Sequence, residues 1–298
     1  MIESKNHHQK RDRLVATLSQ DNQYRFVIIK NKAMVAEAKT RHTLSNMGAF
    51  FLGKTMTGAC LLASLLKGDE RIIITIHPEK HIKLLYAEAS QVGEVRGFIK
   101  WKESADQNLL ENTPDSLGKG VFQVEKILYE NFKPVYGSVE NTQGDITSEF
   151  NQYLAFSEQI PSIMNIHTDI AQDGTVKESW GILLQALPGT SMEEIQSLYE
   201  TICPELKIPG LIQEMPLEEV LKKILPYDFS ITNNTPTDFF CRCSLEKFKQ
   251  KLITLPLFDI IDMQKLQQNE LVCQYCNRNY ILKDEDFESL IEEIQSKQ

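Results

Sequence analysis

Phe239-Phe-Cys-Arg-Cys-Ser244 and Val272-Cys-Gln-Tyr-Cys-Asn277 are the stretches that decide how this 298-residue chain is read. Four thiolates in a C-x-C and a C-x-x-C pair satisfy a tetrahedral zinc ion, which accepts an all-sulfur shell and imposes no d-electron geometry. In an extended C-x-C segment, side chains two positions apart point to the same side. The C-x-x-C pair completes the shell from a tight knuckle, and residues 244–272 leave room for a helix and a return strand. A module of about 60 residues buries only roughly 60% of its surface and often needs a staple. Metal binding supplies about 10–16 kcal/mol of folding energy in such modules. Zinc on Cys241, Cys243, Cys273 and Cys276 is the expectation. A catalytic zinc is not, because four protein ligands leave no open position for water. A structural ribbon and a redox sensor both stay open, since oxidation to disulfides would eject the metal and remove that folding energy.

Upstream of the cysteine module, proline usage rises. Six of the eleven prolines are Pro188, Pro204, Pro209, Pro216, Pro226 and Pro236. Between them Ser191-Met-Glu-Glu194 is a capping-box signature, and Pro216 opens a Leu217, Val220, Leu221, Ile224, Leu225 stripe that Pro226 closes. Helices this short are marginal alone, so 181–236 reads as a Pro-rich, metastable helical linker that leans on a first domain, 1–180. Residues 237–298 form the zinc-binding domain. In the first domain, Leu44–Leu66 is a helix with one apolar face and Gly68 as its cap. Strands are expected at 24–29, 71–76, 83–87, 95–99, 121–128 and 179–187, with 150–156 helical. Few helices intervene between the strands, so antiparallel pairing and an α+β class follow.

Composition narrows the function. Basic residues number 32 against 41 acidic, a net charge of −9, which repels nucleic acid and anionic lipid at long range. Met1–Arg13 lacks the apolar stretch of a signal peptide. The uncharged part of the apolar region, Thr55–Leu66, is shorter than the roughly 20 residues of a membrane span. A cytosolic chain with reduced thiols is expected, where clustered cysteines mean metal or redox chemistry.

The sequence resembles the redox-regulated 33-kDa heat-shock chaperones, bacterial holdases, over nearly its whole length. The resemblance rests on the two cysteine stretches with Glu246 and Tyr280, on His42, Leu52-Gly53 and Leu66-Lys-Gly-Asp-Glu70, and on Gly93-Glu-Val-Arg-Gly97. Leu117-Gly-Lys-Gly120, Ser157-Glu-Gln-Ile-Pro161 and Leu184-Gln-Ala-Leu-Pro188 follow in the family's order. It departs at His77-Pro-Glu-Lys-His81, where glycines are usual, at Ser179-Trp-Gly181, and in lacking a glycine before Cys273. The resemblance implies an ATP-independent chaperone without enzymatic activity. In it, peroxide or hypochlorous acid, helped by heat, gives Cys241–Cys243 and Cys273–Cys276 disulfides and releases zinc. The small domain then unfolds, the linker loses its footing, and apolar surface binds unfolding clients. It also implies a homodimer when oxidised, and no partner among nucleic acid, membrane or ATP.

Other motifs read differently. Gly48-Ala-Phe-Phe-Leu-Gly-Lys-Thr55 matches a P-loop pattern, but its residues fit a buried helix rather than a strand-to-helix loop. His77 and His81 flank a Pro78 turn; His42 and His167 are single. Cys60 reads as inert core, Cys203 as a spectator, and Asp284-Glu-Asp286 as an acidic first helical turn. Two rivals remain. A nucleic-acid-binding ribbon is disfavoured because residues 238–298 hold eight Lys/Arg against eleven Asp/Glu, net −3. A thiol–disulfide oxidoreductase needs its C-x-x-C to open a helix on a βαβ unit, and none surrounds Cys273.

Overall fold

Side chains alternate in burial along 71–78 and 162–170, whereas 13–19, 24–30 and 176–186 are buried over most of their length, and these strands build two sheets with a helix between them. A computed structural model describes residues 11–103, 105, 117–128, 135–141 and 144–297. The first sheet runs β10-β1-β2-β9-β8, with β1 Arg13–Ser19, β2 Tyr24–Lys30, β8 Ser162–Ile170, β9 Val176–Ala186 and β10 Phe229–Pro236. The second runs β11-β5-β4-β3-β6-β7: β3 Arg71–Pro78, β4 Ile82–Ser90, β5 Glu94–Trp101, β6 Gly120–Ile127, β7 Val135–Asn141 and β11 Asp238–Phe239. Pairing is antiparallel throughout both sheets except for β11 on β5. The α+β, antiparallel class expected from the sequence is the one observed.

Two helices follow β2: α1 Lys32–Arg41 and α2 Asn46–Ala63. Every residue of α2 except Asn46 and Phe50 is buried, so it carries no single apolar face. It packs on β3, β4 and β5 of one sheet and on β2, β8 and β9 of the other, and a helix enclosed on all sides is apolar all round. Small residues make this enclosure fit: a Cβ at Gly58 would lie 2.2 Å from Phe150 Cε2. The Ser45 hydroxyl accepts the Gly48 N–H and opens α2. The expected Gly68 cap is corrected to Ser64. The Leu65 and Leu66 N–H groups bond back to Leu62 and Ala63 at 3.1 Å, tightening the last turn. Gly68, at φ +56°, serves the turn beyond. Helix α3, Ile146–Tyr153, ends in a π-helical turn over Leu154–Glu158.

Beyond β9 come α4 Met192–Leu206, α5 Leu211–Glu214 and α6 Leu217–Ile224. The capping box is formed, Ser191 N–H donating to Glu194 Oε2 at 2.8 Å and Glu194 N–H to Ser191 Oγ at 3.3 Å. Pro204 lies inside α4 instead of ending it. Eleven of the eighteen buried residues in one apolar cluster come from 195–225, and they cover Val15, Phe26, Ile28, Ile182 and Leu184 of the five-stranded sheet. Strand β9 runs across position 181, and β10 joins that sheet from within 181–236. Contacts divide the chain into two units, Met1–Phe240 and Cys241–Gln298. The second holds α7 Leu245–Leu252, α8 Leu257–Lys265, the hairpin β12 Glu270–Val272 and β13 Asn279–Ile281, and α9 Asp284–Ser296. Its buried apolar cluster is small, Ile260, Leu282, Phe287, Leu290 and Ile294, with seven partly buried apolar side chains packed against it.

Candidate metal centre

The β12–β13 hairpin positions one half of the centre. Cys273 N–H donates to Arg278 O at 2.9 Å, and the turn closes with Asn277 N–H on Cys273 O at 2.7 Å. Asn277 adopts φ 55°, a left-handed conformation that asparagine tolerates, so no glycine is needed to bend this knuckle. The other half, Cys241-Arg-Cys243, immediately precedes Ser244, whose hydroxyl caps α7 by accepting the Lys247 N–H.

All four Sγ atoms lie within 4.8 Å of one another. Cys241 and Cys273 sulfurs are 3.8 Å apart and those of Cys243 and Cys276 are 3.3 Å apart. Zinc–sulfur bonds of about 2.3 Å place tetrahedral sulfurs roughly 3.8 Å apart, so the donor set fits such an ion. The cluster could hold a metal, and it is the one group of that kind among the described residues. Cys241, Cys273 and Cys276 are buried and Cys243 half-buried.

Without a cation, burial of this kind opposes ionisation. It pushes the Cys273 and Cys276 thiols up, the latter strongly. At Cys243 burial also pushes upward, but hydrogen bonds with Tyr280 and the three other cysteines outweigh it and bring the thiol down to about 7. The Tyr280 hydroxyl lies 3.2 Å from Cys243 Sγ and donates to Cys243 O at 2.9 Å. Tyr280 belongs to the recognised motif, yet spacing alone does not disclose that its ring, packed on Phe248, steadies Cys243.

The remaining candidates lie elsewhere. Cys60 is buried in α2, and burial pushes its thiol strongly up. Cys203 is half-buried in α4 and free; its neighbour Tyr199 is pushed up to about 12 by burial and by a hydrogen bond to Cys203. His42 meets Phe239 edge-on, and His167 stacks on Trp180 at 5.2 Å. His77 and Pro78 both lie in β3, paired with Val121 and Gly120, so the turn expected at Pro78 falls instead at 79–81, where His81 stands. The P-loop lookalike is helical, and Lys54 Nζ is held by Asp145 Oδ1 at 2.8 Å. Asp284, Glu285 and Asp286 form the first turn of α9.

Residues 12–283 match the family model described as Hsp33 protein. The chain belongs to the Hsp33 family. Among its relatives, the 33 kDa chaperonin of Bacillus subtilis (strain 168) is 31% identical over 287 residues, covering 94% of this chain and 98% of that protein. The 33 kDa chaperonin of Desulforamulus reducens is 28% identical over 297 residues, covering 96% and 99%. The crystal structure of the 33 kDa chaperonin from Thermotoga maritima superposes with a TM-score of 0.78 at 26% identity, covering 97% of this chain and 100% of that one. Hsp33 members are chaperones rather than enzymes, and this chain carries the Hsp33 arrangement of antiparallel sheets, helices and a C-terminal four-cysteine cluster.

Proposed function

We propose that this Hsp33-family chain is a redox-regulated, ATP-independent holdase whose sensor is the Cys241, Cys243, Cys273, Cys276 cluster. The observation that carries the reading is the convergence of four sulfurs within 4.8 Å in a unit whose buried apolar cluster holds five side chains. Bound zinc supplies the cross-link such a core lacks, on the order of 10–16 kcal/mol in small modules of this kind. The three-part organisation, 1–180, 181–236 and 237–298, belongs to the same proposal.

Oxidation acts on the sulfurs. Each pair of thiolates gives two electrons to one peroxide: an S–S bond forms, the O–O bond breaks, and two hydroxide ions leave. Two peroxides convert Cys241–Cys243 and Cys273–Cys276 to disulfides. A disulfide sulfur is no thiolate donor, so oxidation strips the site of its donors and its metal together. The small unit then unfolds, and Phe240, covalently next to Cys241, no longer precedes a folded body. The linker helices release the apolar cluster they cover, and unfolding clients bind to the exposed surface in the cytosol. The oxidised, active form is a homodimer.

Peroxide titration of the reduced, zinc-loaded protein tests this reading, following metal release with a chromogenic chelator and disulfide pairing by peptide mapping. The expected result is one zinc released as the two named disulfides appear. Disulfide formation with zinc retained, or pairing across the two motifs, overturns it.

A further inference from the structure

We infer that β1 is a backbone docking edge for an extended segment of unfolded client, uncovered when β10 leaves it; the inference rests on the linker release proposed above. Strand β10 covers the outer edge of β1 from Arg13↔Pro236 to Ser19↔Phe229. The two strands are unlike. Five of the seven β1 side chains are buried, whereas β10 buries none and leaves Ile231 45% exposed.

The composition of β10 is as weak as its packing. Ser230-Ile-Thr-Asn-Asn-Thr-Pro236 contains two asparagines, which strands disfavour, and a proline that cannot donate to a ladder. Its pairing with β1 shifts register between Ala16 and Thr17. It is held by main-chain pairing, by Thr232 Oγ1 on Ala16 O at 3.2 Å and Ser230 Oγ on Leu18 O at 3.5 Å, by Asn234 Nδ2 on Glu218 Oε1 of α6 at 2.8 Å, and by Phe229 packed against the cluster that the linker helices cover. It lies between α6, which the proposed switch releases, and the two-residue β11 on β5, which leads into Cys241 of the unit that the switch unfolds. With α6 released, and with it the Asn234 and Phe229 contacts, a strand without buried side chains has little beyond main-chain pairing to keep it in place.

Once β10 departs, Leu14, Ala16 and Leu18 present unpaired N–H and C=O groups along a β1 still fixed to β2. Such an edge is a template for strand addition. The occupant that fits is an extended chain with free backbone donors and alternating apolar side chains. Those side chains would reach the same sheet's Phe26, Ile28 and Ile182, which the linker helices cover in the reduced form. Backbone pairing needs no sequence motif, only an unpaired backbone, and an unfolding protein has one while a folded protein does not.

Residue-resolved hydrogen exchange of the full chain tests the edge, with light scattering of a heat-aggregating client followed in the same sample. In the reduced form the Leu14, Ala16 and Leu18 amides exchange slowly. Oxidation speeds them about tenfold or more, and client slows them again by a similar factor. The Val15 and Thr17 amides, which face β2, stay slow throughout. A fluorescent alternating Val-Thr peptide binds the oxidised protein at least about tenfold more tightly than the same peptide N-methylated at alternate residues. If aggregation is suppressed while the three amides stay fast, or if they never speed up on oxidation, the edge assignment falls and the holdase stands. Equal binding of the two peptides overturns it as well. Protection that returns with protein concentration and without client assigns the edge to a second copy and overturns the client assignment. An oxidised protein that fails to suppress aggregation overturns the holdase and the edge together.

Discussion

Leu221→Ala should open the linker without touching a single cysteine. Leu221 is fully buried, on a helix whose Leu217, Val220, Leu221 and Ile224 all enter the cluster over the five-stranded sheet. Truncating a buried leucine to alanine costs about 2–5 kcal/mol in lost transfer energy and residual cavity. Helix α6 is only Leu217–Ile224 long, too short to persist off the sheet, so that cost falls on docking. At about 1.4 kcal/mol per factor of ten, the undocked population rises roughly 30-fold to several thousand-fold. Native-state hydrogen exchange of the 192–224 amides in the reduced, zinc-loaded protein reads this factor directly. The surface change Met192→Ala, at a residue 42% exposed, serves as the control and should move exchange by less than about 0.5 kcal/mol. Reduced Leu221→Ala should also suppress client aggregation in part. If its linker amides exchange as in the parent while global unfolding is shifted instead, the helices are one cooperative body with the core and the reasoning fails.

Further outcomes follow from other parts of the molecule. Chelating the metal under reducing conditions should abolish amide protection over 245–296, because the small buried cluster of that unit is inadequate alone, and speed exchange over 192–224 as the linker loses its footing, while the β2, β3 and β4 amides stay protected. Gly58→Ala should destabilise the first unit by about 1–3 kcal/mol, since the new methyl overlaps Phe150 by more than the roughly 1 kcal/mol of helix propensity offsets; Phe150→Leu in the same chain should recover part of the lost melting temperature. Asp12 is buried, which raises its carboxyl to about 7 despite hydrogen bonds from the Met34 and Ala33 N–H groups. Its proton is therefore held more tightly in the folded state, and its contribution to stability is largest below about pH 4 and is lost as pH rises to about 7. Asp12→Asn should remove that slope from the melting curve of the first unit.

The cysteine module was the most legible part of the chain, because the C-x-C and C-x-x-C spacing is local and the fold brings those four sulfurs within 4.8 Å of one another. The linker helices were legible too: capping box, Pro216 and the 217–225 stripe are all short-range signals. What the sequence hid was non-local. Strand β1 reads as the end of a polar start, since Arg13 and Ser19 frame its apolar run, and only its pairing with β2 makes it a strand. Strand β10 has an asparagine-rich composition that no strand propensity marks, so its residues read as part of the Pro-rich 181–236 segment. Helix α1, Lys32–Arg41, carries three cationic residues, Lys32, Lys39 and Arg41, just after Lys30 of β2, and these mask the buried Met34, Val35 and Ala38. The all-round burial of α2 also could not be read from periodicity, because a second sheet supplies the partner for its far side. At the site, the reach of the Tyr280 hydroxyl to Cys243 depends on the hairpin fold.

The most direct measurement compares light scattering of a heat-aggregating client mixed with the purified chain, either reduced and zinc-loaded or pre-oxidised with peroxide at mild heat. The account predicts that the oxidised form suppresses aggregation and the reduced form does not. Equal suppression by both forms would leave a chaperone whose four cysteines are structural, and would contradict the redox switch.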